Sequence, residues 1–416
     1  MAVDAAARSR IADASLAPAG EQRIAWVARH SPVLNRLARA RLADGALRGK
    51  RVAVVVHLEA KTAYLALLLA EAGAEVVAAG SNPGSTQDAV AAALVARGVE
   101  VHATHGASEE EFEGDLLAAA DADPEIVVDD GAELTVRIVE RRPKLAERLR
   151  GVTEETTTGV ARLRSLERAG RLTFPAIAAN DAWCKHLYDN RYGTGQSTIA
   201  AILRLTNLVG AGKEFCVVGY GWVGKGLARY AEGMGGRVTV IEIDPVKALE
   251  AHMDGHRVAG LEDGLATADV VVTATGGVDA VGRDALSYVK DGAILANAGH
   301  HDREIDIRAL GRGEEVRPGI TRHELDGGRR VYLLARGRLV NIAGADGHPV
   351  EIMDLSFSVQ ALAAHLLASA SDLRPGVQRL PEELDREIAR TKLATLGVTL
   401  PEPTDAQLAF LERWTP

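Results

Sequence analysis

Gly219, Gly221 and Gly224 spell G-x-G-x-x-G inside "VVGYGWVGKG", between an apolar run and the helical pattern "VGKGLARYAEGMG". Glycines so spaced allow a tight turn and let backbone N–H groups approach a pyrophosphate at a helix N-terminus. The next apolar run, "RVTVIEID", carries Glu242 to its end. A carboxylate there accepts hydrogen bonds from a ribose 2′-OH and repels a 2′-phosphate, which selects NAD over NADP. Asp244 competes for the ribose, but two acids cannot both take one strand end, and Glu242 is assigned to it.

Four more stretches crowd titratable and polar residues together: "VVDDGAELT", "GVTEETTTGV", "NDAWCKHLYDNRYGTGQS" and "NAGHHDREID". Regular elements gain nothing from such clusters, so each is a candidate site segment. Lys185 and Asp189 are spaced i, i+4, share a helical face and can hold one hydroxyl between them; a surface ion pair has the same spacing. Thr156, Thr157 and Thr158 are poor helix formers rich in donors, suited to a phosphate or nicotinamide neighbour. His300 and His301 are adjacent and point in different directions from a strand end, which argues against a shared metal, and either also fits a structural role. No cluster has metal-ligand spacing, so no metal is expected.

The elements that must position these groups read as βαβ units. "RVAVVVHL", "AEVVAAGS", "EIVVDDG" and "TFPAIAAN" alternate with helical stretches, and "FCVVGYG", "RVTVIEID", "DVVVTATGG" and "GAILANAGH" repeat the pattern. That alternation predicts an α/β chain with two doubly wound parallel-sheet domains and a cleft between them. The expected division is 1–190 with 346–400 for substrate and catalysis, 191–345 for a Rossmann domain, and 401–416 as a short tail. "TGQSTIAAILRLTNLVGAG" is the expected hinge helix. The 416 residues suffice for such a division, and the net charge of −9 argues against a general nucleic-acid binder. There is no signal-peptide pattern and no uninterrupted apolar run of membrane-spanning length, and Cys184 and Cys216 form no metal pattern. A cytoplasmic setting without membrane partners is the simplest expectation.

Taken in order, the segments "STQD" (85–88), "DDGAELT" (129–135), "EETTTG" (154–159), "ND…K…YDN.YG" (180–193), "GYGWVGKG" with "EIDP" (242–245), "NAGHHDREID" (297–306) and "GRLVN…GHP" (337–349) resemble the S-adenosylhomocysteine hydrolase family. The resemblance covers nearly the whole chain. It implies one NAD per subunit, regenerated each cycle, in a homo-oligomer (dimer or tetramer) acting on a small nucleoside substrate. In that family NAD oxidises the ribose 3′-OH, the C4′ proton becomes acidic, the 5′ substituent is expelled, water adds and the ketone is reduced again. A C4′–H is too weak an acid for a side-chain base until a neighbouring carbonyl delocalises the charge. By resemblance Lys185 and Asp189 handle the 3′-OH proton, and Glu155 binds ribose hydroxyls. Asp130 and His57, with His300, manage the C4′ proton and the leaving group or water. Thr156, Thr157, Thr158, Asn190, Glu242, Thr275 and Asn341 bind NAD. Glu59, Lys61, His301, Asp346, His348, Met353 and Phe357 surround the nucleobase or the sugar's 5′ side.

Departures from the family fall on substrate recognition. "HLEAKT" puts Glu59 and Lys61 where a threonine and a glutamate contact adenosine, and a cation in place of an acid inverts the hydrogen-bond polarity. Asp346 replaces a methionine, and a buried Asp346 requires a partner, for which Lys61 is the candidate. His300–His301 replaces a His–Phe gate, Lys247 replaces an asparagine, and a terminal Lys/Tyr tail that caps NAD is absent, implying looser NAD retention. The leading expectation is therefore a diverged paralogue that stops at the 4′,5′-unsaturated nucleoside, a dehydratase of nucleoside-antibiotic biosynthesis. The alternatives are a genuine S-adenosylhomocysteine hydrolase, a catalytically silent NAD-sensing homologue, and a nucleoside 3′-dehydrogenase.

Overall fold

The computed structural model describes residues 2–299 and 302–413. Six strands come first: β1 (Arg51–Val56), β2 (Glu75–Gly80), β3 (Glu100–His102), β4 (Ile126–Asp129), β5 (Gly151–Glu154) and β6 (Pro175–Ile177). Eight follow: β7 (Glu214–Val218), β8 (Arg237–Ile241), β9 (Arg257–Val258), β10 (Val270–Thr273), β11 (Ile294–Asn297), β12 (Glu314–Arg317), β13 (Ile320–Leu325) and β14 (Arg329–Leu334). The last, β15 (Gly376–Gln378), returns to the first sheet.

The first sheet has the order β15-β6-β5-β4-β1-β2-β3 and is parallel throughout. Valine-rich β1 is buried along nearly its whole length because helices cover both faces. The second sheet has the order β12-β13-β14-β11-β10-β7-β8-β9. It is parallel from β9 to β14, but β12, β13 and β14 pair antiparallel, an edge that alternation alone did not predict. The connections there, around Gly319 and at Gly327–Gly328, are tight turns at positive φ, too short for a parallel crossover.

Strand order reverses next to β1 and β4 in one sheet, and next to β7 and β10 in the other. Such switch points leave a crevice beyond the carboxyl ends of the strands. The residues leaving those ends are His57, Asp130, Gly219 and Thr275, so each switch point gathers candidate site segments at its own crevice.

Helix Val350–Ser369 is long and apolar enough to cross a membrane, yet most of it is buried within the first core. Its polar residues have internal work: Asp354 accepts from the N–H groups of Val33 and Leu34 and from Lys392 Nζ at 3.2 Å. The sheets are joined by helix Trp183–Lys185, a π-helix His186–Gly193 and helix Thr194–Thr206. There Gly226 packs backbone to backbone: a Cβ on it would lie 1.8 Å from the Arg191 carbonyl oxygen.

Gly226→Ala is expected to destabilise by about 1–3 kcal/mol through forced displacement of the joint. Gly233→Ala, on the same helix with nothing within 4 Å of the new Cβ, is the neutral control. Thermal unfolding midpoints of the two variants check this; equal midpoints would refute the tight joint.

Candidate active site

A cavity of about 390 Å³ lies between the carboxyl ends of the two sheets. Its walls include His57, Glu59, Lys61, Asp130, Glu155, Thr156, Thr157, Thr158, Lys185, Asp189, Asn190, Gly221, Thr275, Asn341, Asp346, His348, Met353 and Phe357. Gly219, Gly224 and Glu242 stand behind the wall and shape the glycine loop. His300 and His301 lie outside the described residues.

Lys185 is buried, and its Nζ lies 2.9 Å from Asp189 Oδ1, 2.9 Å from Asn190 Oδ1 and 3.4 Å from Glu155 Oε1. This is no surface ion pair. The π-helical winding explains why residues i+4 and i+5 both reach Lys185, because a wider turn keeps both on one face. Asp189 Oδ2 accepts from Ser356 Oγ at 2.7 Å, and His348 sits between Asp189 Oδ1 (3.4 Å) and Thr194 Oγ1 (3.0 Å). Burial works against the Lys185 ammonium, but Asp189 and Glu155 outweigh it and push its pKa up. Burial raises Asp189 less than Lys185 and His348 lower it, so it stays ionised. Glu155 is pushed up to about 7, by burial first, with Lys185 opposing.

The acid pairs at the ends of β4 and β5 divide their labour by strand alternation. Asp129 accepts from Thr135 N and Oγ1, and Glu154 accepts from the N–H groups of Gly131, Ala132 and Thr156. Both brace their loops, leaving Asp130 and Glu155 to line the cavity. Asp130 Oδ2 accepts from Ser81 Oγ at 2.7 Å and lies 3.5 Å from His57 Nε2. His57 Nδ1 lies 2.6 Å from Ser85 Oγ, whose own proton goes to the Asn82 carbonyl. That network assigns the proton to Nδ1 and leaves Nε2 facing Asp130.

Two expectations need correction. Asp346 is not buried against Lys61: its carboxylate is 97% exposed, 3.9 Å from Arg204, and only its backbone carbonyl accepts from Lys61 Nζ, at 3.0 Å. The carboxylate partner of Lys61 is Glu59, at 3.0 Å, and both line the cavity. A loop carbonyl satisfies the lysine without desolvating a second acid. The threonine triplet is also not helix-averse in place. Thr156 caps helix Thr157–Arg168 by accepting from Gly159 N, and at the first turn its hydroxyl replaces a missing backbone partner.

The residues present fit NAD. Gly219 has φ +100, and a Cβ on Gly224 would lie 1.9 Å from the Gly219 carbonyl oxygen, whereas Gly221 faces open space at the start of helix Trp222–Gly233. Glu242 accepts from the N–H groups of Tyr220, Ile243 and Asp244. Burial raises it less than those N–H groups lower it, so its charge is secure. Asp244 instead caps helix Pro245–Met253, which removes it from the ribose position. Thr275 spends its hydroxyl on buried Glu304. Asn341 donates to Ser197 while its buried Oδ1 meets no partner among the described residues, an acceptor waiting for a ligand amide.

Sequence reasoning missed Ser81, Ser356 and Gln360. Gln360 Nε2 donates to Glu155 Oε2 at 2.6 Å and its Oε1 accepts from Thr153 Oγ1 at 2.7 Å. The available signal was the recurrence of polar residues in "DLSFSVQ" within an otherwise apolar helix.

A family model described as S-adenosyl-L-homocysteine hydrolase matches residues 8–144, and one described as its NAD binding domain matches residues 190–347. An adenosylhomocysteinase of Thermococcus kodakarensis is 49% identical over 409 residues, 97% of each chain. One of Thermotoga maritima is 48% identical over 400 residues, 95% of this chain and 99% of that one. An S-inosyl-L-homocysteine hydrolase of Methanopyrus kandleri is 47% identical over 410 residues, 97% of each chain.

Gly224→Ala is expected to weaken NAD binding by ~10–100-fold, because the loop must open to admit the methyl group. The nucleotide released on acid denaturation of the purified protein measures it, and wild-type NAD content would count against the loop's role.

Proposed function

This chain belongs to the S-adenosyl-L-homocysteine hydrolase family, and we propose that it is an NAD-dependent hydrolase that releases homocysteine from a purine nucleoside 5′-thioether. The observation that carries the reading is the buried Lys185, bracketed by Asp189, Asn190 and Glu155 in the same cavity as the dinucleotide loop. The family model and the Methanopyrus kandleri relative, both named as hydrolases, favour return of water over a reaction that stops at the unsaturated nucleoside.

Bound NAD supplies a reversible two-electron oxidation at C3′ of the ribose. The chain's own residues move the protons. Lys185 rests as an ammonium, which its carboxylate neighbours favour; to act as a base it must pass its proton to Glu155, 3.4 Å away, whose affinity burial has raised. The neutral amine then takes the 3′-OH proton, with Asp189 and Asn190 fixing its direction. His57 and Asp130 exchange the C4′ proton and serve the leaving thiol and incoming water, a role that the family resemblance extends to His300. Met353 and Phe357 supply apolar wall. Glu242, Thr156, Thr157, Thr158, Thr275 and Asn341 hold the cofactor.

A second reading concerns the base. Lys61 can only donate and Glu59 can only accept, which suits a 6-oxopurine: Lys61 to O6, Glu59 from N1–H. Adenine presents an amino donor to the lysine instead. The relative named for S-inosyl-L-homocysteine supports hypoxanthine as the base.

Lys185→Met is expected to lower turnover and substrate-driven reduction of bound NAD by ~10²–10⁴-fold while leaving NAD content near wild type. Unchanged growth of the reduced-cofactor absorbance would remove Lys185 from the mechanism. In a direct comparison of kcat/KM, S-inosylhomocysteine should exceed S-adenosylhomocysteine by ~10–100-fold, and Lys61→Gln should narrow the gap. Preference for the adenosyl compound would restore the adenine reading, and release of neither thiol would overturn the hydrolase itself.

A further inference from the structure

We propose that Gln360, which touches neither the cavity nor the cofactor loop, is a positioning residue that decides which oxygen of Glu155 faces Lys185 and carries the proton. The inference rests on the proposed proton exchange between Lys185 and Glu155.

Gln360 is fully buried on helix Val350–Ser369, one turn after the cavity residue Phe357. Its amide lies between two groups of unequal flexibility in their hydrogen-bond roles. Thr153 Oγ1, on β5, donates to Gln360 Oε1 at 2.7 Å, and Gln360 Nε2 donates to Glu155 Oε2 at 2.6 Å. With its oxygen engaged by Thr153, the amide meets Glu155 as a donor only. Donation to Oε2 therefore disfavours a proton on that oxygen. Oε1 has no hydrogen-bond partner among the described residues and lies 3.4 Å from Lys185 Nζ. Any proton given up by Lys185 thus lands on Oε1, the oxygen turned toward the lysine. Without Gln360, nothing holds Oε2 turned away from Lys185, and the carboxyl can rotate its proton to the far side.

The charged groups around Glu155 are Lys185 from helix Trp183–Lys185, Asp189 from the π-helix and Asp130 from the loop after β4. Glu154 is turned to its own loop, and His348 stands behind Asp189. Gln360 is the neutral donor in that set. Donation stabilises the ionised carboxylate, so its removal must raise the midpoint at which Glu155 titrates.

The test is infrared titration of the protonated carboxyl band of Glu155 in the NAD-loaded enzyme, identified by its disappearance in Glu155→Gln. In Gln360→Met the midpoint should move up by about 1–2 pH units. The acid limb of turnover, where Glu155 must be ionised to accept a proton, should move up with it, with kcat more affected than KM. A folded Gln360→Met with an unmoved midpoint would overturn the proposal. Should that variant fail to fold, Thr153→Val frees the amide to turn, and a smaller upward shift is expected; none would be equally fatal. Loss of thermal stability alone, with the midpoint unmoved, is the signature of a merely structural glutamine. The infrared readout needs no turnover, so it judges Gln360 even if the wild-type protein hydrolyses neither thioether.

Discussion

An ammonium and two carboxylates buried together are expensive to desolvate, and they survive in a folded protein only when geometry leaves few of their bonds unmade. The Lys185 cluster meets that condition with partners from many parts of the chain: Asp189 and Asn190 from the π-helix, Glu155 from the end of β5, Ser356 and Gln360 from helix Val350–Ser369. The first sheet, the linker and the long helix must therefore all be in place before the charges can be accommodated. The reward for this demanding arrangement is a lysine held as an ammonium by its carboxylate neighbours, beside a glutamic acid whose pKa burial raises to about 7.

The two sheets contribute in the same way despite different chemistry. Each reverses its strand order beside its central strand, and each presents short polar segments at the carboxyl end of that reversal. Neither segment alone specifies a reaction. A glycine loop with Glu242 fits a dinucleotide, and a buried lysine among acids holds a proton. Opposed across one cavity, they are the arrangement that the proposed oxidation requires.

Much of this was legible in the sequence because it rests on local rules. Valine runs marked the buried parallel strands, the glycine spacing marked the loop, and the titratable clusters marked the strand ends. What escaped was set by tertiary partners. The two-residue β9 and three-residue β3 and β15 are too short to carry a pattern, and the antiparallel edge is read only from its turns. The π-winding that lifts Asn190 onto Lys185 has no composition signature. Asp346 was misjudged because type and neighbourhood were known but direction was not: one φ/ψ choice at Gly347 (φ +72) is enough to send a loop side chain outward. Gln360 looked like one polar residue among several on an apolar helix, and only the positions of Thr153 and Glu155 give it meaning.

Helix Val350–Ser369 also behaves as a lever. Met353 and Phe357 face the cavity, while Asp354, on the intervening side, holds Val33, Leu34 and Lys392. Twenty residues of hydrogen-bonded helix do not bend easily over one turn. A base that pushes on Phe357 therefore pulls on Asp354, and the load is carried to the N-terminal helices far from any reacting atom. The cleft's stiffness is thus partly stored outside it, in a segment with no chemistry of its own.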